Sequence, residues 1–232
     1  MSDRGGVEWV VVDGPDALTY VDSQCTQDLT ALEVGSQVEA LLLDPDGRIV
    51  AFAEVRRQGE HTIVLAVPAG CAEAARARLE RFAIRTAATF AVADGDAGGD
   101  PPAWADEATR IGLGIPGPSE LARGLVTHAR DESLRGQLVS FTKGCYPGQE
   151  LVARMQSRGA TPPYVLRRCR FTAPPAAGDA VGDPEKDGVV TSVARESPNG
   201  TWIGLCVLHR TDSAEREVTV HTSGEALVAQ LD

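Results

Sequence analysis

With 232 residues, 43% of them hydrophobic and 24% charged, the chain has the length and composition of a globular protein that can bury one large core or two modest ones. Its net charge of −11 argues against sequence-independent nucleic-acid binding, which draws its affinity from Lys and Arg neutralising phosphates. No apolar run approaches the ~18 residues that cross a bilayer, and MSDRGGVEWV lacks the basic and apolar segments of a signal peptide, so a cytoplasmic location without a membrane partner is expected.

VEWVVVDG, from Val7, reads as a buried strand closed by a turn. PDALTYVDSQCTQDLTAL follows, its apolar residues at Leu18, Val21, Leu29 and Leu32 predicting a short helix entered at Pro15 and then a second turn. QVEALLLDPDGRIVAFAEVRRQGEHTIVLAVP holds three β-rich runs joined at Asp44-Pro45-Asp46-Gly47 and at Gly59-Glu60, two hairpin signals. AGCAEAARARLERFAI has Ala, Leu and Phe at helical spacing, and RTAATFAVAD reads as a further strand. The order β-α-β-β-β-α-β predicts an α+β sheet with helices on one face.

GDAGGDPPAWAD (95–106) breaks this pattern, and RIGLGIPGPSELARGL and ARDESLRGQL suggest short helices beyond it. A second hinge falls in SRGATPPYV, around Pro162-Pro163. YVLRRCRFT, GVVTSVARES, TWIGLCVLHR, EVTVHT and ALVAQL are then short alternating runs, as in a small antiparallel barrel or sandwich. The expected organisation is an α+β body over residues 1–160, interrupted near 95–106, and an all-β unit over 161–232. Basic clusters at Arg56 and around Arg167 read as solvated strand faces.

The five cysteines, at 25, 71, 145, 169 and 206, form no C-x-x-C and no structural-zinc spacing with histidine, so neither a disulfide scaffold nor a metal site is expected. Cys71, Cys169 and Cys206 lie in helical or strand patterns and read as buried small hydrophobes. Cys145 differs. It stands beside Lys143, one of only two lysines against twenty arginines, and ahead of a helix expected to start at Pro147. That helix would carry Leu151, Val152 and Met155 on one face and Glu150, Arg154 and Arg158 on another. A helix N-terminus and a neighbouring ammonium both lower a thiol pKa, whereas Glu150 opposes them. The same residues also suit a purely structural turn, with Gly144 and Gly148 serving geometry, Cys145 filling a pocket and Tyr146 packing.

KGCYPGQE, Lys143 to Glu150, resembles the K-G-C-Y-x-G-Q-E signature of the YgfZ family, relatives of the T-protein (aminomethyltransferase) of the glycine cleavage system. In matching order, Gln24, Thr26 and Asp28 are similar to the family's Q-x-T-x-D segment, Gly47-Arg48 to its hairpin, and Thr191-Ser192 with Gly204-Leu205 to its barrel segment. The resemblance implies an α+β, T-protein-type folate-binding fold with a C-terminal antiparallel β-barrel. It further implies a tetrahydrofolate or one-carbon folate cofactor, and support of iron–sulfur cluster assembly or repair in client enzymes, some of which modify tRNA. The implied partners are those clients or assembly factors, with no direct nucleic-acid contact. Carried over by position, Cys145 and Lys143 are the catalytic candidates. Gln24, Thr26, Asp28, Arg48, Tyr146, Gln149, Glu150 and Arg154 are the candidate folate contacts, in a pocket near the Asp28 segment and the 44–55 hairpin.

Two departures concern chemistry. Where the T-protein carries an acidic pair in its hairpin, this chain has Val50 and Ala51, and where it carries a pterin-binding glutamate this chain has Phe141. Proton transfer needs a positioned acid or base, so the glycine-cleavage reaction is not expected. A folate-dependent aminomethyl- or methyltransferase is the alternative, with Asp28 or Asp44 substituting. A cysteine hydrolase or oxidoreductase is a third reading, but sequence places none of the histidines, at 61, 128, 209 and 221, near the thiol.

Overall fold

In the computed structural model the described residues are 6–95, 97, 99–129, 136–196 and 200–232. The valine-rich run forms β1 (Val7–Asp13), followed by α1 (Ala17–Gln24), β2 (Gln37–Leu43), β3 (Ile49–Arg57), β4 (Thr62–Pro68), α2 (Ala72–Glu80) and β5 (Thr89–Val92). This is the order read from the sequence, with α1 starting at Ala17 rather than at Pro15. The strands make one antiparallel sheet in the order β2-β3-β4-β1-β5.

Both faces of that sheet are covered, which explains why ALLL in β2 is apolar without interruption. On one face Ala40, Leu42, Ala53, Val55 and Leu65 pack against Tyr20 and Val21 of α1 and Ala75 and Leu79 of α2. Glu8 Oε2 accepts the Ala72 N–H at 3.1 Å and ties the start of α2 to β1. On the other face Trp9, Leu41, Leu43, Phe52 and Val64 meet Trp104, Ile111, Ile115 and Leu125 from the connecting segment. Burial of each large apolar side chain contributes about 1.5–3 kcal/mol.

The connection carries α3 (Glu107–Gly112), α4 (Pro118–Leu121), a single 3₁₀ turn at Thr127–Ala129 and α5 (Gln149–Arg158). Asp106 caps α3 by accepting the Thr109 N–H at 2.9 Å, the usual role of an aspartate before a helix. The helix expected over ARDESLRGQL falls largely on 130–135, outside the described residues. The helix expected from Pro147 begins instead at Gln149, with Gly148 as its cap in the left-handed region (φ 85°). A side chain at Gly148 would have its Cβ 2.6 Å from the Asp44 carbonyl oxygen, so only glycine allows this approach to the hairpin.

The remaining strands, β6 (Tyr164–Phe171), β7 (Ala180–Val181), β8 (Val189–Arg195), β9 (Trp202–His209), β10 (Glu217–His221) and β11 (Leu227–Leu231), form a closed antiparallel barrel. The short pairing of Val220 with Val181 and His221 with Ala180 completes the ring and decides between barrel and sandwich. Cys169, Phe171, Val190, Cys206 and Leu208 fill it. The outer faces of β6 and β9 supply Leu166, Ile203, Leu205 and Val207 to the cluster beneath the first sheet.

A buried polar network crosses the same junction. Arg110 Nη2 donates to Ser192 Oγ at 2.8 Å, and Ser192 Oγ donates to Glu120 Oε1 at 2.6 Å. Glu120, wholly buried, also accepts the Gly117 N–H at 2.7 Å and faces Arg110 Nη1 at 3.4 Å. Each member has partners, which is the condition for such a network to be tolerated inside a protein.

Candidate functional site

The chain brings its motif to a three-way junction. Gly148 lies on the Asp44 carbonyl and Leu151 on Gly47, which seats α5 on the β2–β3 hairpin. The segment after α1 joins from the other side. Thr26 Oγ1 donates to the Leu138 carbonyl at 2.6 Å and accepts the Leu41 N–H at 2.9 Å, while the Thr26 carbonyl accepts the Ser140 N–H at 2.9 Å. Gln27 Nε2 donates to the Gln137 carbonyl at 2.7 Å. Three of the segments matched in the resemblance, 24–28, 47–48 and 143–150, thus converge.

Cys145 is exposed, whereas Cys25, Cys71, Cys169 and Cys206 are buried. It precedes the first residue of α5 by four positions, so it does not stand immediately before that helix as expected. Lys143 is held by the end of α1 and the segment that follows it. The Lys143 side chain is 2% exposed, and its ammonium donates to the carbonyls of Asp22 (2.5 Å), Cys25 (3.3 Å) and Gln27 (2.6 Å) and to Asp22 Oδ1 (3.1 Å). Its charge lies 5.9 Å from the Tyr146 ring centroid. The geometry makes Lys143 a clamp on the 22–27 segment.

Lys143 acts on the buried Cys25 thiol. Burial pushes it up to about 11, with the Lys143 ammonium pulling it down and Asp22 pushing it further up. Tyr146, buried beside this group, is raised to about 12 by burial and, second, by Cys25. Neither is ionised near neutral pH, so neither is a ready nucleophile or base.

The expected folate contacts divide by accessibility. Gln24, Thr26 and Tyr146 are buried. Thr26 is fully engaged in the bonds above, and Gln24 Oε1 accepts from Arg78 Nη1 at 3.1 Å. Asp28, Arg48, Glu150 and Arg154 are exposed, and Gln149 is half-buried. Among the described residues the Arg48 guanidinium and the Gln149 amide have no side-chain partner, and Glu150 meets only Arg154, at 4.0 Å. Arg48 passes over Gly124, where its Nε is 3.8 Å from the position a Cβ would take. Asp28 accepts from the Thr30 hydroxyl and N–H at 2.6 and 2.9 Å, and these bonds hold its carboxyl below the usual range. A carboxylate so held is a weak base, which tells against Asp28 as a substitute transferase acid.

Val50 is half-buried and Ala51 is buried in the α1–α2 core, while Phe141 is exposed. The buried acid of β3 is Glu54, paired with Arg56 at 2.6 Å. Of the histidines, His128 is buried, His209 meets Thr211 at 2.8 Å and His221 meets the Gly182 carbonyl at 3.0 Å, while His61 lies in the β3–β4 turn.

Sequence reading missed Cys25, Arg78 and the 137–140 backbone as parts of this junction. Arg78 is buried, with Nε on the Leu43 carbonyl at 2.6 Å, its ring-facing side 4.5 Å over Phe82, and Nη2 without a partner. Burial pushes its pKa down. In sequence it is one of two arginines in α2, and nothing there separates it from the solvated Arg76.

No protein-family model matches the chain. Its fold is that of an aminomethyltransferase T: it superposes on the glycine cleavage system aminomethyltransferase T of Bartonella henselae with a TM-score of 0.68, at 15% identity, over 98% of this chain and 83% of that one. In sequence it is similar to the tRNA-modifying protein YgfZ of Serratia proteamaculans (34% identity, 39% of this chain, 29% of that one). The tRNA-modifying protein YgfZ of Sodalis glossinidius matches at 37% identity over 28% of this chain and 22% of its own length. An uncharacterized protein of Haemophilus influenzae matches at 26% identity over 65% of this chain and 66% of its own. The chain therefore spans less than two thirds of the length of each of these curated relatives. Resemblance and fold agree: the chain is YgfZ-like on an aminomethyltransferase scaffold. Among the described residues no helix is long and apolar enough to cross a membrane.

Proposed function

We propose that this protein is a cytoplasmic, YgfZ-type folate-binding protein that supports iron–sulfur cluster assembly or repair in client enzymes, tRNA-modifying ones included. The observation that carries the reading is the exposure of Cys145, within K-G-C-Y-P-G-Q-E, when every other cysteine is buried. A thiol placed for packing would be covered; this one can meet a client, a transient cluster or a folate adduct.

The donor set at the junction fits a reduced folate. The pterin presents an amino group and ring N–H that carboxylates and amides accept, as Glu150, Asp28 and Gln149 can. The glutamate tail presents carboxylates that a guanidinium such as Arg48 or Arg154 can meet in a planar pair. Lys143, Thr26, Gln24 and Tyr146 support these groups from beneath. In this reading residues 1–160 form the folate-binding body and 161–232 the barrel unit that closes it. Bound folate would supply a one-carbon carrier. The aminomethyltransferase alternative needs a basic carboxylate, for which Asp28 or Asp44 would have to serve, and Asp28 is already engaged with Thr30.

In cells whose cluster enzymes depend on this protein, Cys145→Ser is expected to abolish that support while leaving the protein's abundance and folate affinity unchanged. Full support by the serine variant would overturn the role given to the thiol.

A further inference from the structure

A cleft of ≈ 350 Å³ opens where β2 begins and β3 ends, at the far end of both strands from the 44–48 hairpin. That volume lies in the range of small-molecule sites, ~300–1,000 Å³. Its walls include Ser36, Gln37, Arg56, Arg57 and Gln58, and residues 100–103 close it. It shares no residue with the Cys145 junction.

The two arginines differ in how their charge is met. Arg56 places Nε and Nη2 on Glu54 at 2.8 and 2.6 Å, and Nη1 on the Asp100 carbonyl at 2.6 Å. Arg57 has no carboxylate partner among the described residues. Its Nη1 donates to the Leu32 carbonyl at 2.9 Å, and its Nε is buried with no acceptor. The Arg57 backbone is fixed on both sides, its N–H on the Ser36 carbonyl at 3.0 Å and its own carbonyl accepting the Gly35 N–H at 2.8 Å. A half-buried guanidinium without a counter-charge, with one donor orphaned, favours an anion whose paired oxygens match its fork. The Ser36 hydroxyl and the Gln37 amide, both without side-chain partners among the described residues, add neutral donors. Asp100 is the one acid in the lining and opposes it.

We propose that this cleft is a second binding site, for a small carboxylate- or phosphate-bearing ligand, with Arg57 as its recognition residue. On binding, the guanidinium turns so that its Nε edge meets the anion. The test is a titration of the full chain with inorganic phosphate and, separately, with glutarate, against chloride at equal ionic strength, read by amide chemical shifts. Saturable shifts confined to residues 35–37, 56–58, 100 and 103 are expected from one of the two, and which one identifies the anion class. Arg57→Gln should weaken that binding about ten-fold or more, and Asp100→Asn should strengthen it. Shifts no larger than those from chloride in both titrations, or binding unchanged in both variants, would overturn the proposal. Loss of this binding leaves the Cys145 reading untouched, since that reading rests on other residues.

Discussion

Lys143 carries its charge to a place where oxygen atoms surround it, three of them carbonyls and one the Asp22 carboxylate. The sequence marks this lysine by its rarity and by its motif, and both signals are real; what they leave open is direction. A side chain of four methylenes can reach back across a turn, and here it reaches Asp22 rather than Cys145. Lys143→Met keeps the volume and removes the donor, leaving a buried cluster of acceptors. The expected loss is about 2–4 kcal/mol, below that of a fully buried pair because Asp22 is partly exposed; urea denaturation measures it. The buried Cys25 gives a pH signature. Its folded-state pKa is raised from 9.0 to about 11, so its contribution is complete below pH 9 and is lost as pH climbs through about 11. Over that window its share is on the order of 2–3 kcal/mol. Cys25→Ala should therefore flatten the fall in stability between pH 9 and 11.

The junction is made by α5 and the β2–β3 hairpin, and the two were unequally legible. Asp44-Pro45-Asp46-Gly47 announces its turn because those residues favour a turn wherever they stand. The start of α5 is different. Pro147 is a good first helical residue in isolation, yet the helix waits until Gln149 because Gly148 must take a left-handed conformation to clear the Asp44 carbonyl. That constraint comes from a strand a hundred residues away, and no local pattern contains it. Gly148→Ala combines an unfavourable φ with a Cβ 2.6 Å from a backbone oxygen. A destabilisation of about 2–3 kcal/mol is expected in denaturant titration, with α5 displaced from the hairpin. No loss, or the gain that an exposed helical Gly→Ala change gives, would contradict the contact.

For the molecule as a whole, strands and helices were readable from alternation and spacing, and the motif from its resemblance. Closure of the barrel was not, because it depends on two residue pairs between β7 and β10 that are far apart in the chain. The joining of sheet to barrel was equally hidden: Arg110, Glu120 and Ser192 come from three separate segments, and each alone reads as a surface residue. Their network and the apolar cluster around Trp104 hold the body against the barrel and fix the edges of the junction where Cys145, Arg48 and Gln149 stand accessible. The central claim is that this junction takes a reduced folate. Thermal unfolding of the full chain with increasing tetrahydrofolate, beside an Arg48→Ala variant, tests it most directly. A melting temperature that rises with ligand concentration by mass action is expected in the wild type, with the rise displaced to higher concentration in the variant. A melting temperature that stays constant at folate concentrations far above micromolar would contradict it.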